Sequence, residues 1–164
     1  MFGAGGSCGS GCVAQANSNF DAGAFPFSGS TSFWTPDLTA VSSGPTFRTF
    51  SWTGFPEGEG TTLDSSAVGQ SLTFTVNVAT AGTYDVKYST KEYSTRGIAQ
   101  LSINGTNVGA AQDRYVPCCG TYVTYDLGNY NFATAGNYSF KFTVTGKNAS
   151  STSYTMAWDD ITLK

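Results

Sequence analysis

The sequence predicts an all-β fold, a two-sheet antiparallel β-sandwich of the jelly-roll type that carries an extended N-terminal arm. The first observation behind this prediction is the composition: charged residues make up 12% of the chain, aromatic residues 15%, and there are 20 glycines. Such a composition is typical of short aromatic and β-branched strands joined by glycine-bearing turns. The second observation is the alternation of apolar and polar residues along several segments, which indicates strands with one buried face.

The clearest strand is predicted at residues 71–78, where every second residue is apolar. Further strands are predicted at 31–35, 46–53, 84–88, 99–103, 123–132, 138–144, 154–158 and 160–163. Residues 54–60 are expected to form a loop, and Asn104-Gly105 is a strong hairpin signal. About eight to ten strands of this kind suit a two-sheet sandwich.

The chain divides into a leader and one domain. Residues 1–19 are rich in Gly and Ser and have no hydrophobic period, so we assign them to an N-terminal arm. Residues 20–164 are assigned to the β-sandwich domain, which has enough chain to bury a core without cross-links.

Residues 77–88 and residues 131–142 are similar in sequence. Each segment has a glycine followed two residues later by a tyrosine, namely Gly82 with Tyr84 and Gly136 with Tyr138. We interpret the pair as two similar corners between strands. In each, the glycine would supply a backbone conformation that other residues resist, and the tyrosine would pack back under the corner.

Charge and hydropathy exclude two kinds of partner. The net charge is −3 and the Lys and Arg residues are dispersed, so nucleic-acid binding is not expected. No apolar run approaches the roughly 18 residues of a membrane helix, so membrane insertion is not expected. The chain does not begin with the basic start and apolar block of a secretory signal, so we expect that a signal was removed or that the protein leaves its cell without one.

Catalysis is not predicted. The chain has no histidine, which removes the usual general base and the commonest metal ligand. The carboxylate pairs Glu57/Glu59 and Asp159/Asp160 are neighbours in sequence. The carboxylates of a glycosidase instead flank the bond from opposite sides at about 5–10 Å. We therefore expect a protein that is not an enzyme.

From about Gly69 to Leu163 the sequence resembles the β-sandwich carbohydrate-binding modules of bacterial glycoside hydrolases and lyases, which have a jelly-roll, galactose-binding-like fold. The resemblance lies in residues 69–74, 81–86, 96–105, 142–148 and 160–163. It implies a glycan as a partner. It also implies that no cofactor is required and that calcium is the ion to consider, with Glu57, Glu59 and Asp160 as the nearest equivalents of the acidic ligands in such modules.

Sugar binding needs exposed aromatic rings with polar groups beside them, although aromatic residues in a sandwich are more often core. Tyr93 and Tyr115 depart from the strand alternation, which favours a surface position for both. Tyr122 is a third candidate. Asp113 and Arg114 are the main polar partners. Further candidates are Trp34, Trp52, Asn107 and Gln112. The predicted glycan site lies on the loops at 91–96 and 112–122.

The four cysteines form two groups, Cys8 with Cys12 in the arm and Cys118 with Cys119 in a Pro-Cys-Cys-Gly turn. Pairing within the arm, a disulfide between the two neighbours, and free thiols are all open alternatives. The preferred interpretation joins the arm cysteines to the turn, either within one chain or between chains, since an extended arm spans about 60 Å. Disulfides imply an oxidising location, extracellular or on a particle surface.

These observations lead to two hypotheses about the function of the protein. The preferred hypothesis is a non-catalytic structural subunit of an extracellular fibre or particle surface, bound through its arm to copies of itself or to other structural subunits. The alternative is a carbohydrate-binding accessory module of a secreted glycoside hydrolase or lyase.

Overall fold

The computed structural model describes residues 30–164. The predicted arm, with Cys8 and Cys12, and residues 20–29 of the predicted domain lie outside the described residues. The strands are β1 (Thr31–Trp34), β2 (Ala40–Ser42), β3 (Phe47–Ser51), β4 (Glu59–Leu63), β5 (Ser71–Val78), β6 (Gly82–Glu92), β7 (Gly97–Ile103), β8 (Thr106–Asp113), β9 (Thr121–Phe132), β10 (Gly136–Lys147), β11 (Met156–Trp158) and β12 (Asp160–Leu163). A short 3-10 turn at Thr35–Asp37 follows β1.

The strands form three antiparallel hydrogen-bonded sheets that pack as a sandwich. A four-stranded sheet has the order β1-β12-β6-β9, a five-stranded sheet the order β2-β5-β10-β7-β8, and a small sheet the order β11-β4-β3. The prediction of an all-β sandwich is confirmed. The described residues contain no helix long and apolar enough to cross a membrane.

Aromatic rings join the sheets in one core. Tyr88 of the four-stranded sheet meets Phe142 of the five-stranded sheet with ring centroids 5.1 Å apart. Trp158 of the small sheet lies 5.5 Å from Phe74 and 5.2 Å from Phe142, both in the five-stranded sheet. These four side chains are at most 2% exposed, so all three sheets share the same buried interior.

Strand β4 lies partly within the predicted loop at 54–60, and that part of the prediction was wrong. Its sequence, Glu-Gly-Thr-Thr-Leu, shows no alternation of apolar and polar residues. The strand is nevertheless buried because the polar groups find partners: the Thr62 hydroxyl donates to the Met156 carbonyl at 2.9 Å. Strands β2 and β8 were also missed, since neither has a clear period.

The two tyrosine corners are confirmed. The Tyr84 hydroxyl donates to the Thr80 carbonyl at 2.9 Å, and the Tyr138 hydroxyl donates to the Thr134 carbonyl at 2.8 Å. Gly136 has φ +138°, as its predicted role requires. Gly82 does not have a positive φ, so its predicted role was wrong. A Cβ at Gly82 would lie 3.3 Å from the Tyr84 ring, so the ring leaves little room for a side chain at this position.

Candidate functional site

Four loops meet at one end of the sandwich, and we call this region the loop end. It comprises residues 52–58, 93–96, 114–120 and 148–155. Hydrogen bonds connect three of these loops: Tyr93 N donates to the Arg114 carbonyl at 3.2 Å, Thr152 N donates to the Ser94 carbonyl at 3.1 Å, and Asn148 Nδ2 donates at 2.9 Å to Oδ2 of Asp113, the residue before the 114–120 loop. The 52–58 loop reaches them through Trp52, whose ring lies next to Gly120. The loop end is thus a continuous surface built from distant parts of the chain.

An aromatic cluster with a lysine at its centre covers part of the loop end. Phe55 forms its buried base, in edge contact with Trp52 at 5.0 Å and with Tyr122 at 6.1 Å between ring centroids. The Lys91 ammonium lies over two rings, 4.5 Å from the centroid of Trp52 and 5.0 Å from that of Tyr93. Trp52 is half-buried and Tyr93 is 37% exposed, so aromatic surface beside a cation reaches solvent. We call these five residues the aromatic–lysine cluster.

Lys91 makes no ion pair with any carboxylate among residues 30–164. Burial lowers its pKa, and the neighbouring Arg96 lowers it further. The Arg96 guanidinium lies beneath the cluster and donates to the Lys91 carbonyl at 3.1 Å. Burial lowers the pKa of Arg96 to about 10, so this group still carries a positive charge at neutral pH. The cluster therefore combines aromatic faces with a lysine that has no ion-pair partner among residues 30–164.

Tyr122 is directed inward rather than toward solvent. Its hydroxyl donates to Asp159 Oδ2 at 2.8 Å, and its side chain is half-buried against Phe55. Burial raises the pKa of Asp159 to about 7; the hydrogen bond from Tyr122 opposes this, while Asp160 and Glu57 add to it. Tyr122 therefore lies in the aromatic–lysine cluster, but its hydroxyl already has a partner.

The prediction that Arg114 contacts a glycan was wrong. Its side chain is fully buried, with the guanidinium carbon 4.7 Å from the centroid of Tyr88, 5.2 Å from that of Trp158 and 5.6 Å from that of Phe142. It donates from Nε to the Tyr88 hydroxyl and from Nη1 to the Ala157 carbonyl, both at 3.2 Å. Arg114 thus anchors the start of the 114–120 loop in the core and cannot reach a surface ligand.

Tyr115 lies in the loop end, and Asp113 is the last residue of β8, directly before the 114–120 loop. The exposed Asp113 carboxylate accepts hydrogen bonds from Tyr115 N at 3.0 Å and from Asn148 Nδ2 at 2.9 Å. Tyr115 is half-buried. Asn107 lies away from this site, because it is at the start of β8 beside the Asn104-Gly105 turn.

Two other candidates have polar groups already engaged. Gln112 Nε2 donates to the Ala110 carbonyl at 3.0 Å, and Trp34 Nε1 donates to the Glu59 carbonyl at 3.1 Å.

The three predicted calcium ligands are not assembled around one position. The Glu59 carboxylate accepts a hydrogen bond from the Ser51 hydroxyl at 3.2 Å, whereas Asp160 Oδ2 accepts one from Ser32 at 2.6 Å and one from Thr162 at 3.2 Å. Glu57 is exposed. Within residues 30–164 no three His, Cys, Asp or Glu side chains form a group that could hold a metal ion. The set as placed does not fit a calcium site, and calcium binding stays a prediction.

Cys118 and Cys119 are bonded to each other through their sulfurs. This differs from the preferred prediction, in which each receives a cysteine of the arm. The physical reason is the turn itself: Cys119 and Gly120 both have left-handed backbone conformations, with φ +71° and +73°, and the two neighbouring thiols meet. Both cysteines are exposed.

The sequence analysis did not name Lys91 or Phe55 as site residues. Lys91 is the first residue of the predicted site loop at 91–96, whereas Phe55 lies outside both predicted loops, three residues after Trp52. The pairing of Lys91 with Trp52 joins β6 to the loop after β3, and no local pattern encodes it.

Comparison with known protein families finds no match for this chain. No curated protein matches it either.

Among solved structures, the chain is similar to a xanthan lyase from Paenibacillus, with 32% sequence identity and a TM-score of 0.76. The match covers 80% of this chain but only 13% of the lyase.

Two isolated carbohydrate-binding modules are also similar. The CBM36-1 domain of a multidomain xylanase from the hindgut metagenome of Trinervitermes trinervoides is 19% identical, with a TM-score of 0.53 and coverage of 82% of this chain and 96% of the module. A family 35 module from Clostridium thermocellum is 16% identical, with a TM-score of 0.51 and the same coverages. The described chain therefore has the β-sandwich fold of carbohydrate-binding modules, the resemblance that the sequence predicted.

Proposed function

We propose that this protein is a non-catalytic carbohydrate-binding module that binds a polysaccharide at its loop end. The observation that carries this proposal is the aromatic–lysine cluster, in which the Lys91 ammonium lies over the rings of Trp52 and Tyr93. A pyranose ring presents C–H groups that pack on an aromatic face, and the cation can pair with a substituent of the sugar.

The charge of Lys91 favours a polysaccharide that bears carboxylates. Its ammonium has no carboxylate partner among the described residues, so a uronate or similar group would supply one. A neutral glycan could stack on the same rings but would leave the charge unpaired. We therefore expect acidic polysaccharides to bind more tightly than neutral ones.

The similarity to the xanthan lyase supports this proposal and supplies the first ligand to test. The matching region is a small part of that enzyme, as an accessory module would be. We infer that this chain holds a polysaccharide while a separate catalytic domain acts on it. Such a role places it outside the cell.

Replacing Trp52 tests the proposal. We expect W52A to weaken polysaccharide binding on the order of tenfold or more, because truncation removes the largest ring of the cluster. The measurement is calorimetric titration or affinity electrophoresis with xanthan, polygalacturonate and a neutral soluble glucan. F47A is the matched control, since Phe47 is also an exposed aromatic residue but lies at the far end of β3.

Binding that is equally weak in F47A and W52A would contradict the site, provided that both variants keep the thermal midpoint of the wild type. Failure of the wild type to bind any of the three polysaccharides would contradict the proposed function.

The fibre or particle subunit remains a second prediction, with the N-terminal arm as its contact. Within the described residues Cys118 and Cys119 are already bonded to each other, so that pairing does not support this role. Gel electrophoresis with and without reductant tests it. Disulfide-linked multimers would favour assembly, and a monomer under both conditions would contradict cross-linking.

A further inference from the structure

The Cys118–Cys119 disulfide directly precedes Gly120, which lies against the aromatic–lysine cluster. A Cβ placed on the next residue, Gly120, would lie 2.7 Å from Cε of Lys91 and 3.4 Å from the Trp52 ring. The Gly120 backbone therefore rests directly on two members of the cluster. The two bonded cysteines, both exposed, are adjacent to that contact in the chain.

The disulfide contributes little to the stability of the fold. Stabilisation by a disulfide increases with the length of chain that it closes, and this one joins residues that are already neighbours. It ties no strand to another strand and no loop to another loop. The disulfide is exposed, so its sulfurs are available for contact with a ligand at the surface.

A disulfide differs from two thiols in what it offers a ligand. Sulfur is soft and polarisable and packs well on apolar groups, and the bonded pair has no S–H donor that must be satisfied. The ring closed by adjacent cysteines also holds both sulfurs in one fixed place. A fixed apolar surface costs a ligand less ordering than two freely rotating thiols.

We propose that the Cys118–Cys119 disulfide is itself part of the glycan-binding surface, an apolar platform for the C–H face of a sugar ring adjacent to the one stacked on Trp52. This inference rests on the proposed function. It makes the affinity sensitive to reduction. A dithiol gives two electrons and two protons to the S–S bond, the bond breaks into two thiols, and the dithiol closes to its own disulfide.

The experiment uses the full chain with C8S/C12S, so that Cys118 and Cys119 are the only cysteines left. Thiol alkylation and mass spectrometry should find no alkyl group on the untreated protein and two after treatment with dithiothreitol. The affinity for xanthan is then measured before and after that treatment. We expect roughly tenfold weaker binding after reduction, which corresponds to about 1.4 kcal/mol.

Two further proteins separate the causes. C118S/C119S should bind as weakly as the reduced protein and should not respond to dithiothreitol. W52A should be weak in either redox state. The thermal midpoint of C8S/C12S should not change on reduction, because a platform, unlike a structural cross-link, can open without loosening the fold.

The inference is overturned if reduction leaves the affinity unchanged while W52A still lowers it, and the proposed function then stands. It is also overturned if untreated C8S/C12S takes up two alkyl groups, or if reduction lowers the thermal midpoint together with the affinity. If wild-type protein binds none of the three polysaccharides, the inference and the proposed function fail together.

Discussion

Two basic residues of this protein, Arg114 and Lys91, both contact aromatic rings but differ in their exposure to solvent. Arg114 is fully buried against three aromatic rings, whereas Lys91 lies over two rings that themselves reach solvent. Both contacts are cation–π interactions, but only the second leaves a charge that a ligand can approach. Residue type does not explain this difference between Arg114 and Lys91, because both are basic. Their positions in the fold explain it.

Asp159 is a buried carboxyl whose ionisation opposes folding. Its side chain is 1% exposed, and its pKa in the folded protein is raised to about 7. An unfolded aspartate releases its proton near a pH of about 4. Between these values the folded state binds more protons than the unfolded state, so the free energy of unfolding falls as the pH rises through this interval.

We expect D159N to flatten this pH dependence, because an amide at this position can still accept the hydrogen bond from Tyr122 but does not ionise. Urea denaturation from about pH 4 to pH 8 measures it. D37N, which changes an exposed carboxylate, is the control and should keep the slope of the wild type. A slope that persists in D159N would show that another group causes it.

At the scale of elements, the two corners are the local devices that turn one strand into the next. Each tyrosine hydroxyl bonds to the carbonyl four residues before it. Both rings also pack on Phe132, with centroids 5.7 Å away for Tyr84 and 4.8 Å away for Tyr138. The corners thus connect a turn at the surface to the core.

We expect Y84F and Y138F each to lower the free energy of unfolding by about 1 kcal/mol, the usual net value of the hydrogen bond that each hydroxyl donates. The double variant should lose the sum, because the two hydroxyls bond to different carbonyls. Chemical denaturation measures the losses. Y154F is the control, since the Tyr154 hydroxyl makes no hydrogen bond within residues 30–164. Equal losses in all three single variants would contradict the role of the corners.

At the scale of the whole molecule, the three sheets depend on one another. Trp158 joins the small sheet to the five-stranded sheet through Phe74 and Phe142, and Phe142 also meets Tyr88 of the four-stranded sheet. No sheet could lose its packing without exposing the rings of another.

We therefore expect the sandwich to unfold in one cooperative transition. Far-ultraviolet circular dichroism and tryptophan fluorescence should give the same urea midpoint. The fluorescence is best followed in W52F, because its remaining tryptophans are Trp34 and the buried Trp158. A fluorescence midpoint clearly below that of circular dichroism would contradict a single transition.

The features that the sequence predicted are those that depend on residues close together in the chain. Strand β5 matches the predicted residues 71–78 because alternation with period 2 is a local property of the chain. The corners were visible for the same reason, since the glycine and the tyrosine of each lie two residues apart. Strand β4 was missed because its buried threonines are satisfied by a strand about 94 residues away in the chain, at Met156.

The sequence by itself determined the fold class and the absence of histidine chemistry, and it named the loops in which the candidate site was sought. The tertiary structure decided which residues occupy the site: it buried Arg114, brought Lys91 onto Trp52, and joined Cys118 to Cys119 in a turn that rests on both. The physical reason is that periodicity records which face of a strand avoids water. Contacts between loops depend on how the strands are ordered in the sheets, and no short stretch of sequence carries that order.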